Sequence, residues 1–249
     1  MKTSRVQRVL YKLTVLSALG LSALGIPVVV SASSLDTIEA LNQQQFVEFS
    51  EELGAATQYR GVSPPESMGL LGFDIGLSVS STDISGEIFD IASDGSFDGS
   101  DLIVPRVHVQ KGLPFGLDIG AMASAVPDTD ITLIGAELRY AIIDGGILTP
   151  SVGIRATHSR LLGIDALDLN NSAIELGISK GFLMLTPYAG AGFVQSTSTP
   201  NNIDGLREET IEEEKLFVGV TLNFGIALTL EADRTGDIRT YSAKGGIRF

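Results

Sequence analysis

Apolar and polar residues alternate with a period of two from Leu70 to Phe249. That alternation predicts β-strands with one apolar face each. Turn residues cut the stretch into ten segments: 70–80, 102–111, 115–125, 131–142, 147–157, 172–180, 183–195, 215–224, 226–232 and 238–249. In the first, Phe73, Ile75, Leu77 and Val79 share a face, and Asp74, Gly76, Ser78 and Ser80 take the other. In the sixth, Ile174, Leu176 and Ile178 oppose Glu175, Gly177 and Ser179. Residues 33–56 carry a different rhythm. Leu35, Ile38, Leu41, Phe46, Phe49 and Leu53 recur at helical spacing, which predicts one short amphipathic helix. Ser34 is a candidate cap, Gly54 a candidate stop, and Pro64-Pro65 a break before the first strand.

The first 32 residues follow another logic. Lys2, Arg5, Arg8 and Lys12 precede an apolar run from Leu13 to Val30, and Val30-Ser31-Ala32 offers small residues for cleavage. This pattern predicts an export signal peptide over 1–32, then a periplasmic helix and linker over 33–66, and a β-barrel over 67–249. Removing the four basic residues of the signal takes the net charge from −13 to −17, which argues against nucleic acid as a partner. With no Cys in the chain, no disulfide framework is available. Mean hydropathy is +0.26, yet no apolar run after residue 32 approaches the length of a membrane helix. The apolar content lies in short alternating segments, as a membrane barrel requires.

Two patterns favour a membrane barrel over a soluble sandwich. Tight connections are predicted after segments two, four, six and eight, and polar connections, mostly longer, after the odd ones. Phe73, Phe115, Tyr140, Phe182, Phe224 and Phe249 gather at the short-turn end, with Phe193 and Tyr241 toward the other, as girdles at two interfaces. Trp is absent. The reading is an all-β chain: a closed antiparallel transmembrane β-barrel of about ten strands, eight or twelve if one hairpin is misread, with a short N-terminal helix.

The last residues, Tyr241-Ser-Ala-Lys-Gly-Gly-Ile-Arg-Phe249, resemble the C-terminal assembly signal of Gram-negative outer-membrane β-barrel proteins. The stretch Tyr59 to Gly76 is similar to the lead into the first strand of uncharacterised proteobacterial barrels. The resemblance implies residence in the bacterial outer membrane and contact with its lipid and lipopolysaccharide. It also implies recognition of Tyr241, Ile247 and Phe249 by the barrel assembly machinery. A monomer is expected.

Inward positions carry both charges: Arg106, Arg139, Arg155 and Lys244 against Asp74, Asp118, Glu137, Glu175 and Glu231. In a narrow lumen such groups pair, since an unpaired buried charge costs several kcal/mol. They form either a polar filling or the lining of a narrow path. Inward glycines (Gly76, Gly120, Gly153, Gly177, Gly190) leave room for water or for the helix. The helix has three possible places: on the inner leaflet, in the lumen, or on a periplasmic partner.

Chemistry is sparse. His158 is placed just past strand five, beside Ser159, which loosely resembles outer-membrane lipid A deacylases without matching their His-x-Ser spacing. His108 faces the lumen. Asp94, Asp98 and Asp101 lie in a loop without EF-hand spacing. The segment Arg207–Lys215, with Glu208, Glu209, Glu212, Glu213 and Glu214, reads as a solvated loop. No catalytic residue, cofactor or metal is assigned, as no P-loop, Rossmann, CxxC or HExxH motif is present. The expected role is structural or that of a narrow channel. The alternatives are a surface-loop binding or adhesion module and a lipid-modifying rim enzyme.

Overall fold

The computed structural model describes residues 37–249 except 96, 98, 126–129 and 147. The predicted signal peptide and the Ser34 cap fall outside the described residues. Ten antiparallel strands close into a barrel: β1 (Phe73–Asp83), β2 (Asp101–Gly112), β3 (Leu117–Ala125), β4 (Thr132–Ile143), β5 (Ser151–Leu162), β6 (Leu167–Ser179), β7 (Leu185–Pro200), β8 (Glu209–Asn223), β9 (Ala227–Thr235) and β10 (Ile238–Arg248). Each pairs with its sequence neighbours, and β1 meets β10 in the register Ile75↔Ile247, Leu77↔Gly245 and Val79↔Ala243. Closure leaves no unpaired strand edge, the condition for a sheet in lipid.

Alternation sorts the side chains. Ile75, Leu77, Val107, Leu138, Ile174, Leu176, Leu216 and Val218 are exposed, while Asp74, Arg106, Arg139, Glu175 and Lys215 are buried. A wall apolar outside and charged inside is that of a protein dissolved in lipid rather than water. The aromatic rings of the short-turn end stand outside the wall, Phe115 at 91% and Phe249 at 71% exposure. The rings of Phe73 and Phe249 meet at 4.9 Å between centroids, across the β1–β10 seam.

Several boundaries move, those at the long-loop end for one reason. β6, β7 and β8 begin or end well beyond the predicted segments, at the long-loop end. There the outward residues are Asn170, Thr197, Thr210 and Glu212 rather than aliphatic ones. Hydrophobic alternation marks only the part of a strand that faces lipid, whereas the ladder continues into water through polar cross-strand pairs such as Gln195–Glu212 at 2.9 Å and Thr197–Thr210 at 3.3 Å. The acidic stretch Arg207–Lys215 is therefore mostly strand β8, not a loop. β5 starts at Ser151 instead of 147, and Leu148 lies in the preceding turn. Residues 163–166 alone join β5 to β6, so the contrast between long and short connections is weaker than predicted.

The connection between β1 and β2, read as a polar loop, holds helix α2 (Gly86–Ala92). Helix α1 runs from Gln43 to Thr57, later than predicted. Asn42 caps it: its side chain accepts from the Gln45 backbone N–H at 3.1 Å, and the Gln45 side chain accepts from the Asn42 N–H at 3.0 Å.

Candidate functional site

Helix α1 lies across the long-loop mouth and touches β1, β2, β5, β6, β7, β8 and β10. Residues 33–66 were expected on the periplasmic, short-turn side. Among those described, residues 37–57 sit at the opposite end. The physical reason is the apolar face of α1, which finds its complement in the barrel mouth. Phe46, Phe49 and Leu53 join Phe89 and Ile88 of α2, Leu133 of β4, Leu161 of β5 and Leu169 of β6 in one buried cluster. The rings of Phe49 and Phe89 are 5.0 Å apart. Of the three places open to the helix, it takes the lumen.

Beyond α1 the chain continues as an extended strap, residues 58–68, down the lumen to β1. Residues 58–65 are all buried. Gln58 donates to Thr235 Oγ1 at 2.9 Å near the mouth. Arg60 follows, donating to Asp233 Oδ2 at 3.0 Å, to Thr240 Oγ1 at 2.8 Å and to the carbonyls of Ala55 and Ala56. Gly61 passes between Arg155 and Glu137, where a Cβ would meet the guanidinium at 2.1 Å. Ser63 and Pro64 accept from Arg139 at 3.1 and 3.0 Å. Pro65 fills the space over Gly153 and Gly177. At the short-turn end Met68 N–H donates to Asp118 Oδ1 at 3.2 Å, and Arg248 approaches Glu66 at 3.4 Å.

All nine predicted lumen residues are buried. Lys244 pairs with Asp74 at 2.9 Å and Arg139 with Asp118 at 3.0 Å. Arg155 binds Glu175 through two nitrogens and stands 3.8 Å from Glu137. Glu175 also accepts from Lys215 at 2.8 Å, and Glu231 accepts from the Tyr188 hydroxyl at 2.7 Å. Arg106 meets no carboxylate among the described residues; it donates to the carbonyl of Ala56 at 2.6 Å and to Ser80. Sequence reading missed Arg60, Asp233, Lys215 and Tyr188 as partners. Arg60 sat in an apparent linker, and Asp233 one residue past the expected end of its strand; their pairing needed the strap inside. The inward glycines are filled by Pro65 and by long side chains: Phe217 over Gly190, Glu137 and Gln110 over Gly120, Lys244 beside Gly76.

The other candidates separate. His158 lies within β5 rather than past it and points outward, its Nδ1 3.0 Å from Ser172 Oγ, whereas Ser159 points inward and donates to the Thr57 carbonyl. Adjacent strand residues face opposite sides, so the two do not form a catalytic pair. His108 is buried, its Nε2 2.7 Å from Ser78 Oγ. Asp101 opens β2 and accepts from Ser81 at 3.2 Å, and Asp98 falls outside the described residues. No group of three or more His, Asp or Glu side chains could hold a metal ion among the described residues. Of the assembly-signal residues, Ile247 and Phe249 are exposed on the outer wall and Tyr241 is partly covered there.

Its architecture is similar to that of bacterial outer-membrane barrels. Solved examples include the β-domain of the Bordetella autotransporter BrkA, with a TM-score of 0.44, 10% identity, and coverage of 72% of this chain and 100% of that one. The N-terminal barrel domain of Pseudomonas aeruginosa OprF follows at 0.35, 12% identity, and 70% and 97% coverage. A loop-deletion mutant of the Vibrio cholerae outer-membrane protein OmpT stands at 0.32 and 14% identity; 70% of this chain aligns, spanning 59% of the length of that protein. At such identities the likeness is one of fold alone. No protein-family model matches the chain, and no curated protein matches it.

At the mouth the carboxyl of Glu52 is held well above the usual carboxylate range. Both oxygens of Glu52, on α1, accept from the Ser85 backbone N–H at 2.8 Å, just ahead of α2. Burial, with Glu48 and Glu51 adding to it against that hydrogen bond, pushes its carboxyl up to about 7. A carboxyl whose folded value exceeds its unfolded one binds its proton more tightly in the folded state. Its contribution is intact below about 4.5 and is lost as pH rises through about 7. In urea titrations from pH 4.5 to 8.5, the wild-type midpoint is expected to fall relative to that of Glu52→Gln across this window. Parallel midpoints would refute the assignment.

Proposed function

We propose that this protein is a bacterial outer-membrane barrel with a structural role, sealed by its own N-terminal segment. The supporting observation is the filled lumen: α1 crosses the mouth and the strap occupies the axis, held by Asp233, Arg139 and Asp118. The short turns face the periplasm, and α1, α2 and the long-loop strand ends face outward. Residues 1–32 serve as the export signal. Phe249, Ile247 and Tyr241 present the alternate positions read by the assembly machinery, and the barrel works as a monomer without a cofactor. A narrow-channel role requires the strap to leave. No catalytic residue is assigned.

Planar-bilayer recording tests this reading. The refolded protein without its leader is expected to be silent at moderate voltage. A chain further shortened by residues 33–66 is expected to give discrete steps. Steady conductance from the intact chain would overturn the sealed reading and restore the narrow channel.

A second reading has its own observation. The apolar cluster that joins α1 and α2 to the strand ends makes the long-loop face a packed platform rather than a set of loose loops. Such a platform suits a surface binding or adhesion module. Substituting its exposed positions and losing adherence, with the barrel intact, would favour that role.

A further inference from the structure

On the outer wall near the β9–β10 turn, two arginines stand directly opposite each other. Arg234 of β9 pairs in register with Arg239 of β10, and both side chains are exposed. Like charges at directly opposed strand positions repel and destabilise a sheet. Arg234 is answered by Asp237, three residues on, and donates to the Gly236 carbonyl at 2.6 Å. Arg239 has no ion-pair partner among the described residues. Among the described residues, nothing offsets the charge of Arg239.

The next outward residues toward the apolar wall give the reason. Ala232 sits between Val218 and Tyr241, its neighbours in register on β8 and β10. The small side chain leaves a groove of about 320 Å³, bordered also by Leu216 and the two arginines. Tyr241 marks the interface, where amphipathic rings settle. The carboxylates Glu214 and Asp237 lie on the loop side of the arginines, so the order outward from the apolar wall is groove, cations, anions. In a chain of net charge −13, this puts two guanidinium groups just beyond the apolar wall, where the outer-membrane reading places lipid headgroups.

We infer that this groove is a binding site for a phosphorylated, acylated lipid of the outer leaflet, the lipid A part of lipopolysaccharide. Arg234 and Arg239 grip one phosphate from two sides, and an acyl chain lies over Ala232 between Leu216, Val218 and Tyr241. Guanidinium suits phosphate because its planar fork donates two parallel hydrogen bonds. The phosphate also removes the repulsion between the two cations, so binding and stability are coupled. The inference rests on the outer-membrane reading above.

The test uses the refolded protein in phosphatidylcholine vesicles, with binding of lipid A measured for each variant. Arg234→Gln/Arg239→Gln is expected to bind roughly tenfold more weakly or worse. Dephosphorylated lipid A should lose as much against the wild type. Ala232→Phe, which fills the groove and leaves both charges, should weaken binding too. Arg160→Gln removes another outward arginine, one paired with Asp168, and should change nothing. Equal affinity of the double variant and the wild type would overturn the proposal, as would full competition by inorganic phosphate alone. Failure of the wild type to insert into the vesicles would instead sink the membrane reading, and this site with it.

Discussion

Arg60→Ala is expected to destabilise the protein by about 3–5 kcal/mol, the range for breaking a buried ion pair from one side. Arg60 and Asp233 are both 0% exposed, and the guanidinium holds two backbone carbonyls and a threonine besides. Its removal leaves the Asp233 carboxylate buried and the Ala55 and Ala56 carbonyls without that donor. Urea denaturation of the folded protein in detergent measures the loss. The structure makes a sharper demand as well. Arg60 ties the upper strap to β9 and β10, so the variant should show intermittent conductance where the wild type is silent. Arg60→Met/Asp233→Leu removes both charges and should recover most of the stability, since apolar replacements of a whole buried pair are often neutral. If Arg60→Ala costs under about 1 kcal/mol, the strap is not held as described.

Glu175→Ala is expected to be at least as damaging. One carboxylate on β6 answers two cations, Arg155 of β5 and Lys215 of β8, both buried. Deleting it leaves Glu137, 3.8 Å from Arg155, as the remaining acid in contact with that guanidinium. The Phe217 ring, 5.7 Å from Arg155 and 6.0 Å from Lys215, adds a weaker attraction. The loss should again be about 3–5 kcal/mol, and Glu175→Gln should recover only part, because an amide accepts a hydrogen bond without cancelling charge. A charge-swapping change at the surface pair Arg160–Asp168, about half exposed, should stay within about 1 kcal/mol. Similar losses at both places would contradict the picture of a buried ion-pair network in the lumen.

The barrel was legible in the chain because each lipid-facing strand must repeat itself every two residues. Ile174, Leu176 and Ile178 cannot sit on one wall of a helix, and Glu175 between them must point the other way. The count of ten followed from the turns. What stayed hidden lies where lipid no longer dictates the pattern. The upper part of β7 is polar on both faces, and those of β6 and β8 are polar on their outward face, so Glu212 and Glu214 read as loop although they are laddered to β7. Helix α2 was missed although Ile84, Ile88, Phe89 and Ala92 have helical spacing, because Asp and Gly on its flanks suggested a loop. The predicted lumen charges are all buried, but their partners were only partly foreseen. Asp74 with Lys244 and Asp118 with Arg139 join adjacent strands, which alternation alone places side by side. Arg60 with Asp233 joins residues 173 apart along the chain, through a segment whose place in the lumen no periodicity records.

The route of the strap sets an order of events. Its far end emerges among the long loops, while its near end is the start of β1 at the opposite end. The barrel is thus a ring closed around its own leading thread. A helix is about 10 Å across, and it cannot be pulled afterwards through an axis filled by Arg139, Arg155 and Phe217. The thread is therefore expected to be in place before the barrel closes, a sequence that pulse-labelled exchange of the strap amides against those of the strands would read.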